Sequence, residues 1–214
     1  MKKKKIMLGT LGSVFLIICV VFLYLKPLQK ENWEGLEVIN IASNKRLYSS
    51  LNEVEKKATI IVEVEAGNAL DQVVSTFYDS KIQKEMPSAG YTKRELKITK
   101  VYQGDVNVGD KIILLHDYFI WENSDKIKQL ISISDYKPMK KGDKYLLFLA
   151  WDKGKEGYYV VGDYQGIYPL EDADASKRDT NKASNQEFEH VYSKEEYSWT
   201  LAPIYAEVRE KYLN

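Results

Sequence analysis

Glu63 and Glu65 stand two positions apart in the stretch ATIIVEVEA, and a pair of carboxylates is the first arrangement in this sequence able to do chemistry. Alternate residues of a strand share a face, so at about 3.4 Å per residue the two carboxylates fall about 7 Å apart, a spacing open to acid–base cleavage of a glycosidic bond. The same alternation has a plainer meaning. Ile60, Val62 and Val64 point one way and Ile61, Glu63 and Glu65 the other, so the glutamates read as the solvated face of a half-buried strand. His116 and Asp117 are neighbours in a strand and point to opposite faces, which excludes a simple dyad between them. His190 lies in a polar stretch and reads as solvated. Asp105, Asp110 and Asp143 lack the close, regular oxygen spacing of a calcium loop. No nucleophile elbow, H-E-x-x-H, P-loop or G-x-G-x-x-G occurs. The single cysteine, Cys19, allows neither an intrachain disulfide nor a thiolate metal cluster. The sequence assigns no catalytic, cofactor or metal residue, and the expectation is a protein that is not an enzyme.

Aromatic residues are the compositional peculiarity: 16 Tyr, 4 Trp and 6 Phe, many of them between Tyr118 and Tyr168. Half of those in a small β domain pack inward, and the rest are the side chains that anchor partners at interfaces. Tyr118, Trp121, Tyr136, Trp151, Tyr164 and the adjoining Gln165 are the partner-binding candidates. The stretch GDYQG, Gly162–Gly166, reads as the accessible tip of a hairpin.

The elements that must carry these residues are marked by two similar phrases, KVYQGDVNVGDKIILL and PMKKGDKYLLFLA. Each sets Gly-Asp-Lys before an apolar run. Glycine supplies a positive φ, aspartate bonds its own backbone, and a strand follows. Gly104, Gly109, Gly142, Gly162 and Gly166 are the expected structural turns. In YSSLNEVEKKA, Ser50 caps a short helix with Glu53 three residues on, and Leu51, Val54 and Ala58 share a face. Residues 67–90 read as a connection with a helical turn near ALDQVVSTFYD. GYTKRELKITKVYQG is a strand with a bulge near Thr99 and Lys100 that returns Val101 to the inner face. KIILLHDYFIW and KYLLFLAW are strands apolar on both faces, QLISIS is a short one, and GYYVVGDY with GIYPL reads as a hairpin around Tyr164 and Gln165. At the C-terminus Tyr197, Leu201, Ile204, Tyr205, Val208 and Tyr212 make a helical stripe.

Lysine and arginine total 31, as do aspartate and glutamate. The first thirty residues hold six lysines and no acid, which leaves 25 basic and 31 acidic residues to 31–214, a net charge of −6. That sign opposes nucleic-acid binding. Behind MKKKK, the run Ile6–Leu25 is free of charge, and at about 1.5 Å rise per residue its length matches a bilayer core of about 30 Å. The lysines ahead of it favour a cytoplasmic N-terminus and an extracytoplasmic remainder in the cell membrane. A cleaved signal and a lipoprotein signal ending at Cys19 are the competing readings. The organisation expected is a basic tail 1–5, a transmembrane anchor 6–25, a juxtamembrane segment 26–45, a β domain 46–170, a polar loop 171–192 and a C-terminal helix 193–214.

SLNEVEKKATIIVEVE, LKITKVYQGDVNVGDKIIL, MKKGDKYLLFL and VVGDYQGIYPL together resemble the small membrane-anchored extracytoplasmic β domains of Gram-positive bacteria. More distantly, VYQG at Val101–Gly104 and GDKYLLF at Gly142–Phe148 resemble the barrel of tissue inhibitors of metalloproteinases and netrin modules. The resemblance spans about residues 50–170 and implies a mainly β, OB-like antiparallel barrel with flanking helices. The aromatic set and the absence of a catalytic motif lead to the expectation of a binding or interaction module of the envelope, with an envelope protein or cell-wall ligand as partner. A protease inhibitor or an envelope hydrolase is the other reading. The animal inhibitors use a free N-terminal cysteine on the protease zinc, held by disulfides, and this chain offers neither.

Overall fold

Ser50 caps a short helix as the sequence dictates. Its hydroxyl accepts the N–H of Glu53 at 3.4 Å, and the Glu53 carboxylate takes the N–H of Ser49 at 2.9 Å, which holds that carboxyl below its ordinary pKa. Helix α1, Leu51–Lys57, follows and buries Leu51 and Val54. The computed structural model describes residues 32–41, 46–133, 137–170 and 204–213. The chain divides into two units, Met1–Glu34 and Gly35–Asn214, and every element named below belongs to the second. Residues 6–25 lie outside the described residues, among which no helix is long and apolar enough to cross a membrane.

The described residues are mainly β. They hold nine strands: β1 Glu37–Ile41, β2 Ile60–Asp79, β3 Lys84–Gln103, β4 Lys111–His116, β5 Tyr118–Glu122, β6 Lys128–Ile133, β7 Lys144–Asp152, β8 Gly157–Val160 and β9 Ile167–Leu170. The six-stranded sheet has the order β2-β3-β4-β8-β7-β9, and β2 also pairs with β7. The pairings β2–β3, β3–β4, β4–β8, β8–β7 and β7–β2 therefore return to their starting strand, with β4–β8 parallel at Leu114 and Tyr158. A second sheet has the order β1-β6-β5, with β1 parallel to β6. Thus the segment read as juxtamembrane contains a strand.

One core cluster joins Ile60, Val62 and Val64 of β2 to Leu96 and Ile98 of β3, Leu114 of β4 and Tyr145, Leu147 and Leu149 of β7. On the other face, Ile61, Leu146 and Phe148 meet α1 and the helical residues 204–208, with Ile204, Tyr205 and Val208 buried. This part of the expected C-terminal helix is present, and residues 193–203 lie outside the described residues. The bulge falls where alternation required it: Glu63 pairs with Lys100 and Val64 with Ile98, so Thr99 is the extra residue, and Val101 packs against the core.

The two Gly-Asp-Lys phrases build one device twice. Gly109 donates its N–H to Ile98 O at 2.8 Å, and Ile98 N–H donates to Asp110 O at 2.9 Å. Likewise Gly142 N–H donates to Ala66 O at 2.8 Å and Ala66 N–H to Asp143 O at 2.9 Å. Each turn clamps one inward-facing residue of the adjacent strand. Both glycines hold positive φ, as do Gly104 at 106° and Gly162 at 69°. Gly166 is not among the positive-φ glycines. It sits in a 3-10 turn, Asp163–Gly166, where an added Cβ would collide with Val161 O.

Three expectations are corrected. Residues 67–90 are not a helical connection but the outer halves of β2 and β3. Their apolar spacing fits a helix, yet Val73, Val74, Thr76, Phe77 and Tyr78 suit a strand, and each finds a partner across the hairpin. KIILLHDYFIW is two strands in different sheets, parted at Asp117, whose carbonyl accepts Ile133 N–H at 3.1 Å. The β8–β9 hairpin does not form. Both strands pair with β7, β8 along Leu149–Asp152 and β9 along Lys144–Leu147.

Candidate functional site

Alternation in β3 puts Thr92 and Arg94 on the face of Leu96 and Ile98, so their polar ends are carried inside. Both are buried, together with His116 at the end of β4 and Tyr118 at the start of β5. Thr92 Oγ1 donates to Tyr118 O at 2.7 Å, Arg94 donates to Gly67 O at 2.7 Å and to the Tyr118 hydroxyl at 3.3 Å, and the His116 ring stands edge-on to Tyr118 at 4.7 Å. Tyr118, expected as an exposed anchor, is instead 1% exposed. It joins the two sheets where the chain leaves β4, and His116 is a buried residue of that junction. Arg94 was legible, because it stands two residues before Leu96. Nearby, burial raises the Tyr145 phenol well above its ordinary pKa, and the Asp143 carboxylate beside it adds to the rise.

Tyr164 and Gln165 are also corrected: they are 2% and 0% exposed rather than at an accessible tip. Tyr164 belongs to the core cluster with Met139 and Ile167, and the Gln165 amide is bonded to the backbone of Tyr48. The reason is topological. Because β8 and β9 share one edge of β7, the residues between them turn inward over the core instead of looping into solvent.

Trp151 does face solvent, at 43% exposure, and meets Tyr158 edge-on at 4.9 Å. The two are cross-strand partners of β7 and β8. In the turn that joins these strands, Lys155 lies 5.1 Å from the centre of the Tyr91 ring and 3.8 Å from Asp152. Trp121 is half-buried on β5, and Tyr136 lies outside the described residues.

The carboxylates are engaged in structure. Glu63 accepts the Tyr102 hydroxyl at 2.6 Å and lies 3.4 Å from Lys100, while Tyr102 O–H also reaches Tyr212 O at 3.0 Å. Glu55 takes Tyr212 O–H at 2.7 Å and Lys211 at 2.8 Å, fastening the last helical residues to α1. Asp110 and Asp143 sit in separate turns, and among the described residues no three His, Cys, Asp or Glu converge as metal ligands. His190 lies outside the described residues.

Sequence reasoning missed the most exposed apolar feature. Before Thr92, β3 pairs only with β2 among the described residues, and these outer halves form a two-stranded arm. Leu70, Val73, Phe77, Tyr78 and Ile82 on the arm are each 39–63% exposed. β5 flanks its base, and Lys84 near its tip lies 3.5 Å from Asp125 in the β5–β6 turn. A strand reading of residues 67–90 would have found it.

No protein family, curated protein or solved structure matches the chain.

Proposed function

We propose that this chain is a membrane-anchored, extracytoplasmic binding module, an OB-like β-barrel held at the cell membrane by residues 6–25. The barrel reading is supported by the pairing circuit β2-β3-β4-β8-β7-β2 with its parallel β4–β8 contact, since closure of a short-stranded sheet removes its edges. The anchor reading is supported by the charge-free run behind four lysines. The binding reading rests on one observation: Trp151, among the named aromatic candidates, stands open to solvent against Tyr158 on the β7–β8 hairpin. An exposed Trp braced on a half-buried Tyr is a ready-made anchor for an envelope protein or cell-wall partner.

A photo-crosslinking residue at position 151 of the full chain, in intact envelope, tests this. The expected result is a discrete adduct that is missing when the same residue replaces Val108, which is 65% exposed on the β3–β4 turn. Equal crosslinking at both positions, or turnover of wall fragments or peptides by the purified chain, would overturn the binding reading.

A further inference from the structure

Phe77 and Tyr78 are consecutive in a regular part of β2, paired with Met86 and Glu85, so they project from opposite faces of the arm. They are 49% and 63% exposed, and Ile82 in the turn between the strands is 51% exposed. A protein packed on one face of this ribbon covers Phe77 or Tyr78 and leaves the other in water. An apolar medium that surrounds the tip covers all three.

A second loop shares that end of the domain. The Lys84–Asp125 contact sets the β5–β6 turn beside the arm, and Ile127 in that turn is 53% exposed. Both loops set lysines on either side of an isoleucine: Lys81 and, past Gln83, Lys84 around Ile82, and Lys126 and Lys128 directly around Ile127. Lysine stems let an ammonium stay at phosphate level while the isoleucine goes deeper. The turn amides are already in use. Asp79 accepts the N–H of Lys81 at 2.8 Å and of Ile82 at 3.4 Å, and Asn123 Oδ1 accepts the N–H of Asp125 at 2.9 Å and of Ile127 at 3.0 Å. Moving these loops out of water therefore strands none of those donors. The lysines are offset by Asp79, Glu85, Glu122 and Asp125, so apolar burial rather than attraction to anionic lipid drives the contact.

We propose that the arm tip and the β5–β6 turn dip into the headgroup–acyl boundary of a bilayer, with Phe77, Tyr78, Ile82 and Ile127 as the inserted side chains. This rests on the anchor reading: residues 26–36 tie β1 to the membrane-spanning run, a tether that reaches no more than about 40 Å. Residues 67–79 of the arm are about as long, at about 3.3 Å each.

The test uses the full chain with Cys19→Ser, reconstituted in phosphatidylcholine vesicles, carrying one fluorophore on Ile82→Cys, Ile127→Cys or Val108→Cys. Val108 is the internal control, exposed on the turn beyond the opposite end of β3. Lipids spin-labelled near the headgroup are expected to quench positions 82 and 127 about fivefold more than position 108. Resistance to carbonate extraction reports the anchor separately. A carbonate-resistant chain with equal quenching at all three positions overturns the arm contact and leaves the anchor standing. A chain released by carbonate overturns both. Shielding of position 82 from aqueous iodide without lipid quenching also overturns the proposal, in favour of contact with a second copy.

Discussion

Gln165 and Tyr48 are joined by two hydrogen bonds across 117 positions of sequence: Tyr48 N–H donates to Gln165 Oε1 at 2.7 Å, and Gln165 Nε2 donates to Tyr48 O at 2.8 Å. A side-chain amide here does what a neighbouring strand does elsewhere, pairing with both polar groups of one backbone residue. The same device recurs at Gln72, which donates to Ile120 O at 2.9 Å and accepts Ile120 N–H at 3.0 Å, covering the edge of β5. The two glutamines differ in burial. Gln165 is fully buried, whereas Gln72 is exposed.

That difference sets the first prediction. Gln165→Leu leaves backbone groups unpaired beside the core and is expected to cost about 2–3 kcal/mol, while Gln72→Leu leaves groups that water can reach and costs under about 1 kcal/mol. Urea unfolding of the two variants measures it. Equal losses would show that burial does not govern the clamp.

Glycines at positive φ supply the second. Gly104, Gly109 and Gly142 all hold φ between 92° and 106°. A Cβ at Gly109 or Gly142 meets nothing within 4 Å, whereas at Gly104 it stands 2.5 Å from Ile60 Cγ2 and 2.7 Å from Thr59 O. Alanine at 109 or 142 is expected to cost about 1–2 kcal/mol from the backbone alone. Alanine at 104 adds a clash with backbone and should cost more than either. A ranking in which 104 is the mildest would contradict the close approach.

Tyr164 and Trp151 separate fold from binding. Tyr164→Ala empties a core position and is expected to lower stability by about 3–5 kcal/mol. Trp151→Ala removes a ring that is 43% exposed and should cost under about 1.5 kcal/mol while weakening partner capture at least tenfold. Thermal melts and capture measured on the same preparations decide it, and a Trp151→Ala loss as large as that of Tyr164→Ala would make Trp151 a core residue.

Alkaline pH gives the last. Burial raises the phenol pKa of Tyr145 and of Tyr168 above 10.0. The native state then holds each proton longer than the unfolded chain does. The stabilisation is complete below pH 10 and is lost as pH rises toward the folded pKa, by about 1.4 kcal/mol per pH unit for each group. Tyr145→Phe removes one such group, so its stability should fall less steeply above pH 10. Parallel slopes for the variant and the native chain in urea titrations would show that this phenol does not titrate on unfolding.

The sequence by itself determined the elements whose causes lie within a few residues. The Ser50 cap, the inward set Ile60, Val62 and Val64, the bulge at Thr99, both Gly-Asp turns and the doubly apolar β7 follow from local hydrogen bonds and strand alternation, which the order of residues encodes directly. Of the partner-binding candidates, Trp151 faces solvent while Tyr118, Tyr164 and Gln165 are buried. Only the tertiary structure decided those, because they depend on which strands become neighbours. Tyr164 and Gln165 turn inward since β8 and β9 share one edge of β7, Tyr118 is buried since the chain changes sheet at Asp117, and the arm exists since β2 and β3 pair beyond the reach of β4 and β7. A side chain's face can be read from its own strand, but whether that face meets water depends on what packs against it from distant parts of the chain.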